Sequence, residues 1–156
     1  MTPLFKKLNF KGQRPIAILR APAEFFPEME AMRAFTDLHS EAQPGFEYGF
    51  YLVFVQDAAE LAEAGRQLDG RLGEDAVLWL AYPKKSSKKY KSDLARDSAE
   101  WQVLGEQGFE GVRQVAIDAD WSALRFREVN FIKTLKRDPK RAMSRGGKSR
   151  TESQYP

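Results

Sequence analysis

The chain has 156 residues, of which 42% are hydrophobic and 12% aromatic, and it carries a net charge of +3. This length fits one domain, and the hydrophobic content excludes a wholly disordered chain. The absence of cysteine excludes disulfides, thiolate metal sites and cysteine nucleophiles. No apolar run approaches the ~20 residues that span a bilayer and no signal peptide is visible, so we expect a cytoplasmic protein.

The positive charge is concentrated near the C-terminus. Residues 136–156 contain seven basic and two acidic side chains, so they carry +5 and leave −2 for residues 1–135. The composition beyond position 135 offers few apolar groups that could dock. We therefore predict one α/β domain over residues 1–135 and a basic disordered tail over residues 136–156. Such a tail favours any polyanion, or it serves only solubility.

The first predicted strand is Arg14–Arg20, which is apolar on both faces, as buried parallel strands are. A helix is expected to begin near Pro27, because proline and an acidic neighbour suit a first turn. Segment Ala34–Ser40 fits either a helix end or a short edge strand. The inward side chains of the helix are expected to be Met29, Met32 and Phe35.

The clearest strand is Gly49–Val55, a run of aromatic and β-branched residues. Asp57 and Glu60 then form a capping-box-like start of a helix. Its apolar residues recur at helical spacing as far as Leu72, and Gly73 is expected to end it.

Ala76–Tyr82 is a further apolar strand. Asp93 and Asp97 are both candidate caps for a helix that ends at Gly108. The segments Val112–Asp118 and Ser122–Val129 alternate more regularly and are close enough in sequence to pair as an antiparallel hairpin. This order of elements predicts a three-layer, Rossmann-like, mostly parallel sheet with a C-terminal antiparallel hairpin.

In an open parallel sheet, ligands bind outside the carboxyl ends of the strands. Arg20, the segment Lys84–Lys91 (the lysine loop) and Asp118–Ser122 (the hairpin corner) all adjoin predicted strand ends, so we expect them at one rim. The lysine loop combines cations with hydroxyls that could hold phosphate or carboxylate oxygens, or it is a mobile, solvated loop. Arg20 and Arg125 are candidate clamps, although Arg125 could equally lie on the surface of an edge strand. The loop residues are Lys84, Lys85, Ser86, Ser87, Lys88, Lys89, Tyr90 and Lys91.

The hairpin corner allows two interpretations. Asp118 and Asp120 could act as acid and base or bind a metal, but aspartates in tight hairpins more often bond their own backbone. Trp121 is expected to be a core anchor, followed by Ser122. We predict no metal site. We also predict no cofactor, because the turn after the first strand, Arg20–Ala23, has no glycine, which argues against a dinucleotide or adenosylmethionine pocket.

Two segments carry a resemblance. Ala81–Asp97 contains AYPK, SKKYKSD and RD, and Val115–Arg127 contains VAID and DWSALRFR. They resemble a family of small bacterial α/β proteins known as a domain of unknown function, and the opening Pro3–Leu8 fits too. The resemblance implies a bacterial cytoplasmic origin and groups the lysine loop with the hairpin corner, but it supplies no activity, substrate or catalytic residue.

Three functions remain open at this point. The first is a non-enzymatic binding domain for an anionic partner, nucleic acid or a phosphorylated small molecule, through the lysine loop and tail. The second is a small enzyme with a methyltransferase-like layout that uses Asp118 or Asp120 as general base. The third is a protein-interaction module, which would show an exposed apolar patch.

Overall fold

The computed structural model describes residues 1–133 and 142–152. Six strands form a single sheet in the order β2-β1-β3-β4-β6-β5. The strands are β1 Ile16–Leu19, β2 Leu38–His39, β3 Tyr48–Phe54, β4 Leu72–Pro83, β5 Phe109–Ala116 and β6 Trp121–Glu128. The helices are α1 Pro3–Lys7, α2 Phe26–Met32, α3 Ala58–Arg66, α4 Gln102–Gly105 and α5 Arg145–Glu152.

The sheet is mostly parallel. β1 pairs in parallel with β2 and β3, and β3 pairs in parallel with β4. β6 is antiparallel to both of its neighbours, β4 and β5. The antiparallel strand therefore lies inside the sheet, with β5 at the edge, and the predicted fold class is confirmed. Since the chain leaves β1 toward β2 and leaves β3 toward β4, the topological switch point lies between β1 and β3.

Helices cover both faces of the sheet. On one face, Phe5 of α1 and Met29 of α2 pack with Trp79 of β4 in one buried cluster. On the other face, Leu61 of α3 and Leu104 of α4 belong to a second buried cluster. The indole Nε1 of Trp79 also donates to the carbonyl oxygen of Leu8, 2.8 Å away, which fixes the N-terminal helix on the sheet. The arrangement gives the three layers that the sequence predicts.

The strand and helix predicted before β3 are both present, but the strand β1 is shorter than predicted. β1 ends at Leu19, and Arg20 adopts a left-handed conformation with φ of 60°. Met29 and Met32 face the core as predicted, whereas Phe35 is 50% exposed and is not part of the inward stripe. The ambiguous segment resolves as a two-residue edge strand, β2.

The predicted start of α3 is confirmed and its predicted end is wrong. The Asp57 side chain accepts from the backbone amide of Glu60, as an N-cap does. The helix ends at Arg66 rather than before Gly73, and Gly70 adopts φ of +74° in the turn that follows. Leu72, whose spacing extended the helical pattern, instead begins β4. A glycine in the left-handed region ends the helical path more effectively than apolar spacing continues it.

The segment after β4 forms less helix than predicted. A 3₁₀ turn at Ala99–Trp101 leads into the four-residue helix α4. Ser98 precedes this turn, so neither Asp93 nor Asp97 caps it. Leu104 is buried as predicted, and Gly108 follows with φ of +90°.

The C-terminal segment differs from the predicted disordered tail. Residues 142–152 have a defined structure, in which Ala142, Ser144 and Thr151 are buried and α5 occupies the last eight positions. The prediction of disorder is wrong for this segment. The rest of the predicted tail, residues 136–141 and 153–156, lies outside the described residues.

A buried carboxylate accounts for this docking. Glu110 on β5 is fully buried and accepts from the backbone amides of Met143, at 2.9 Å, and Ser144. Arg150 donates to the carbonyl oxygen of Val129 at 2.8 Å. Because these contacts are polar, the low apolar content of the tail did not reveal them.

Candidate functional site: the lysine loop and the hairpin corner

The lysine loop is held against the hairpin corner by backbone and side-chain hydrogen bonds. The Ser87 hydroxyl donates to the Asp120 carboxylate over 2.7 Å, and the Lys84 amide donates to the Asp120 carbonyl over 2.8 Å. The Ser87 hydroxyl oxygen also accepts from the amides of Lys89 and Tyr90, at 3.2 and 3.0 Å. These contacts unite the two sequence segments at the carboxyl end of β4.

An aromatic pair anchors the loop from beneath. The rings of Tyr90 and Trp121 lie 4.9 Å apart, and Trp121 packs edge-on against Phe54 at 5.1 Å. Trp121 is only 1% exposed, so the prediction that it anchors the core is confirmed. The loop is thus fixed to the core and does not match a freely mobile solvated segment.

Glu24, in the 3₁₀ turn before α2, ties the same cluster together. Its carboxylate accepts from the Tyr90 hydroxyl and from the indole Nε1 of Trp121 at 3.3 Å, and it lies 3.3 Å from the Lys89 ammonium. Partial burial acts against ionisation, but hydrogen bonds from Tyr90, its own backbone, Trp121 and Lys89 lower the pKa of Glu24 to about 2. Burial and the bond to Glu24 raise the pKa of Tyr90 to about 12.

The remaining loop lysines keep their charges available. Lys85, Lys88 and Lys91 are exposed and Lys84 is half-buried. Lys89 is paired with Glu24, but no ion pair joins the other four to residues 1–133 or 142–152. The exposed Ser86 hydroxyl adjoins them. The geometry is a hydrogen-bonded turn whose four other ammonium groups have no ion pair within the described part of the chain.

The hairpin corner has a structural role. The Asp118 carboxylate accepts from the backbone amides of Asp120 and Trp121, both at 2.8 Å. These bonds match the interpretation in which the aspartate forms the turn. Asp120 is engaged by Ser87, and Ser122 is buried within β6. Neither aspartate has the strongly buried setting of a general base.

Arg125 does not lie at the rim, which corrects its prediction as a clamp there. It pairs with Trp79 in mid-strand, whereas the rim end of β6 pairs Trp121 with Pro83. Four residues along a strand separate Arg125 from Trp121, about 13 Å. Arg125 lies away from the rim because β6 is antiparallel to β4. Its first residue, Trp121, is at the rim, and the residues that follow lie progressively further from it.

Arg20 does lie at the rim, but its charge is neutralised. Its guanidinium lies 3.1 Å from the Glu60 carboxylate, so the pair crosses the switch point from the end of β1 to the start of α3. The amide of Gln56 donates to the same Glu60 oxygen at 3.0 Å. The exposed first-turn amide of α3 at Ala58 donates to Asp93, from the segment after β4, over 3.0 Å. The positive end of α3 is therefore satisfied by the protein's own carboxylates.

Comparison with solved structures identifies the type of sheet. A SAM-dependent methyltransferase from Aquifex aeolicus matches with a TM-score of 0.51 and 11% identity, over 81% of this chain and 88% of that one. Magnesium protoporphyrin IX methyltransferase from Synechocystis, solved with bound SAH, matches with a TM-score of 0.51 and 12% identity, over 80% of this chain and 78% of that one. The fold is methyltransferase-like. No protein-family model and no curated protein matches the sequence.

The residues at the switch point do not fit adenosylmethionine in the manner of a glycine-rich nucleotide site. Such sites use glycines after the first strand, so that the backbone can turn tightly and approach the ligand. Here Arg20 occupies the left-handed position that glycine would favour, and its side chain crosses to Glu60.

The sequence did not reveal the place of Glu24 in the site or the contact between Asp93 and α3. Glu24 lies between strands in sequence, and only the fold brings it to Tyr90. The sequence predicts that Asp93 caps the helix that follows it, whereas in the structure its carboxylate accepts from the Ala58 amide in the first turn of the earlier helix α3. No local signal distinguishes a carboxylate that caps its own helix from one that reaches another.

Within residues 1–133 and 142–152, no three histidine, aspartate or glutamate side chains are grouped to hold a metal ion. No helix in those two ranges has the length and apolar character needed to cross a bilayer.

Proposed function

We propose that this chain is a non-enzymatic binding domain, built on a methyltransferase-like fold, for the phosphate backbone of a nucleic acid. The observation that carries the proposal is the anchored lysine loop, in which four ammonium groups form no ion pair with residues 1–133 or 142–152. Hydrogen bonds to Asp120 and packing on Trp121 hold the loop, so little conformational freedom is lost when a partner binds.

The chemistry of the loop favours an extended polyanion. Lysine is a point charge that lacks the planar fork of arginine, so a row of lysines attracts phosphate without precise orientation. Three of the four ammonium groups lie on exposed residues of a surface turn. Phosphate contacts of this kind supply affinity and carry no sequence information.

The test is fluorescence anisotropy with a labelled DNA duplex of arbitrary sequence over a range of salt concentrations. Each lysine that neutralises one phosphate contributes about −0.9 to the slope of log K against log salt. The variant K84Q/K85Q/K88Q/K91Q should therefore flatten the slope by up to about 3.6.

The matched control is K6Q/K7Q/K11Q/K133Q, which removes the same charge from exposed positions outside the loop. This control should retain most of the slope. Equal slopes for the loop variant and the unmodified protein would exclude the loop from the interface.

Methyl transfer is the second candidate, favoured by the likeness to the two methyltransferases. Isothermal titration calorimetry with S-adenosylmethionine separates the two proposals. Because Arg20 and Glu60 close the switch point, we expect no saturable heat. Saturable binding would favour the enzyme.

The interaction-module hypothesis stays a prediction. Phe26 and Phe35, near the two ends of α2, are 52% and 50% exposed, and Phe46 is 41% exposed. Isolated exposed aromatics are normal on protein surfaces, so they do not by themselves favour this function.

A further inference from the structure

Arginines are paired on the β5–β6 ladder at a distance from the lysine loop. Arg113 of β5 and Arg125 of β6 are direct partners across the antiparallel ladder. Side chains at such positions start about 5 Å apart, and like charges placed there are destabilising. Arg127, two residues further along β6, points to the same face of the sheet. Three cations therefore share one small area.

Only one of these cations is neutralised within the described residues. Arg127 forms a bidentate pair with Asp75, with contacts of 2.8 and 2.7 Å. Arg113 is exposed and Arg125 half-buried, and neither forms an ion pair with residues 1–133 or 142–152. Among the residues that the structure describes, the cluster therefore keeps two positive charges without a counter-ion.

The surroundings of Arg125 make its charge unfavourable in the free protein. Its Nε atom is buried and has no hydrogen-bond partner among residues 1–133 and 142–152, so no hydrogen bond offsets the desolvation of this part of the guanidinium. Burial, together with repulsion from Arg127 and Arg113, lowers the pKa of Arg125, while Asp75 acts in the opposite direction. A half-buried cation without a counter-ion carries a desolvation cost that a bound anion would offset.

We propose that Arg113 and Arg125 form a second anion site, on the sheet face, that binds the phosphate group of a small phosphomonoester. Guanidinium groups match phosphate oxygens in geometry and can bind them through two parallel hydrogen bonds. Two free positive charges match the charge of nearly −2 that a phosphomonoester carries near neutral pH. A phosphodiester, as in a nucleic acid backbone, carries one charge and would be held less tightly. This site is independent of the lysine loop.

The test measures the melting midpoint of the full chain during titration with inorganic phosphate at about pH 8, against sodium chloride of equal ionic strength. A ligand that binds only the folded state raises this midpoint. Arg113→Gln is the main variant, since Arg113 is exposed and its loss leaves no cavity. We expect the apparent affinity for phosphate to fall about tenfold or more, because a hydrogen-bonded charge is lost.

Two controls define the site. Lys11→Gln, which removes an exposed charge outside both the lysine loop and the arginine pair, should bind phosphate as the unmodified protein does. Dimethyl phosphate, which carries a single charge, should bind about tenfold more weakly than inorganic phosphate if both arginine charges contribute. The proposal is overturned if Arg113→Gln binds phosphate as tightly as the unmodified protein. It is also overturned if chloride gives the same rise in midpoint, or if dimethyl phosphate binds equally well.

Discussion

The lysine loop and the switch point lie at the same rim of the sheet, yet they differ in whether their charged side chains are paired with residues of opposite charge. At the switch point, Arg20 is paired with Glu60, and the start of α3 is capped by Asp57 and Asp93. In the lysine loop, hydrogen bonds hold the backbone, and most ammonium groups form no ion pair with any residue that the structure describes. The comparison shows that position at the rim does not by itself make a residue available to a ligand. A candidate binding group also needs a charge that the protein has not already neutralised.

The largest expected effect comes from releasing the loop. Ser87→Ala removes the bond to Asp120 and the acceptor for two amides, so the free energy of unfolding should fall by about 1–3 kcal/mol. Amide hydrogen exchange at Lys89 and Tyr90 should accelerate as well. Urea denaturation and exchange detected by NMR measure the two effects. Ser86→Ala is the control, with a change within about 0.5 kcal/mol, as is usual for surface positions. Unchanged exchange in Ser87→Ala would contradict the view that this hydroxyl fixes the loop.

An intermediate effect is expected from the pH dependence of the Glu24 cluster. The pKa of Glu24 is lowered to about 2 in the folded protein, from 4.5 without these contacts. A carboxyl whose pKa is lower in the folded state stabilises the fold above its unfolded pKa, and this contribution is lost as pH falls through the folded pKa. The stability difference between the unmodified protein and Glu24→Gln should thus be constant above about pH 5 and disappear toward pH 2. A difference that does not change with pH would show that the Glu24 charge contributes nothing to the cluster.

The smallest effect is expected at the switch point. Arg20 and Glu60 have side-chain exposures of 43% and 26%, and such partly exposed pairs contribute about 0–1 kcal/mol. A double-mutant cycle with Arg20→Ala and Glu60→Gln should give a coupling energy below about 1 kcal/mol that decreases with added salt. A larger, salt-insensitive coupling would mean that the pair is a principal structural element.

The fold was largely predictable because its signals are local. β3 and β4 are continuous apolar runs, and Asp57 caps α3 as its sequence pattern indicates. The convergence of the lysine loop and the hairpin corner followed from the rule for carboxyl ends of strands, and contacts between Ser87 and Asp120 confirm it.

The parts that could not be predicted depend on contacts between distant residues. Glu24 meets Tyr90 across 66 positions, and Arg20 meets Glu60 across the switch point. The position of Arg125 depends on strand register, which its own sequence neighbours do not determine. Composition likewise misjudged residues 142–152, because Glu110 holds them through backbone amides, which every sequence of that length provides.

The role of Glu110 has a practical consequence for any shortened version of this protein. Deletion of everything after position 141 looks harmless from composition, but it would strip a fully buried carboxylate of amide donors from Met143 and Ser144. Leaving a buried carboxylate without its donors is costly. A truncated preparation is therefore expected to be less stable, and its behaviour in a binding assay would reflect that instability as well as the loss of basic residues.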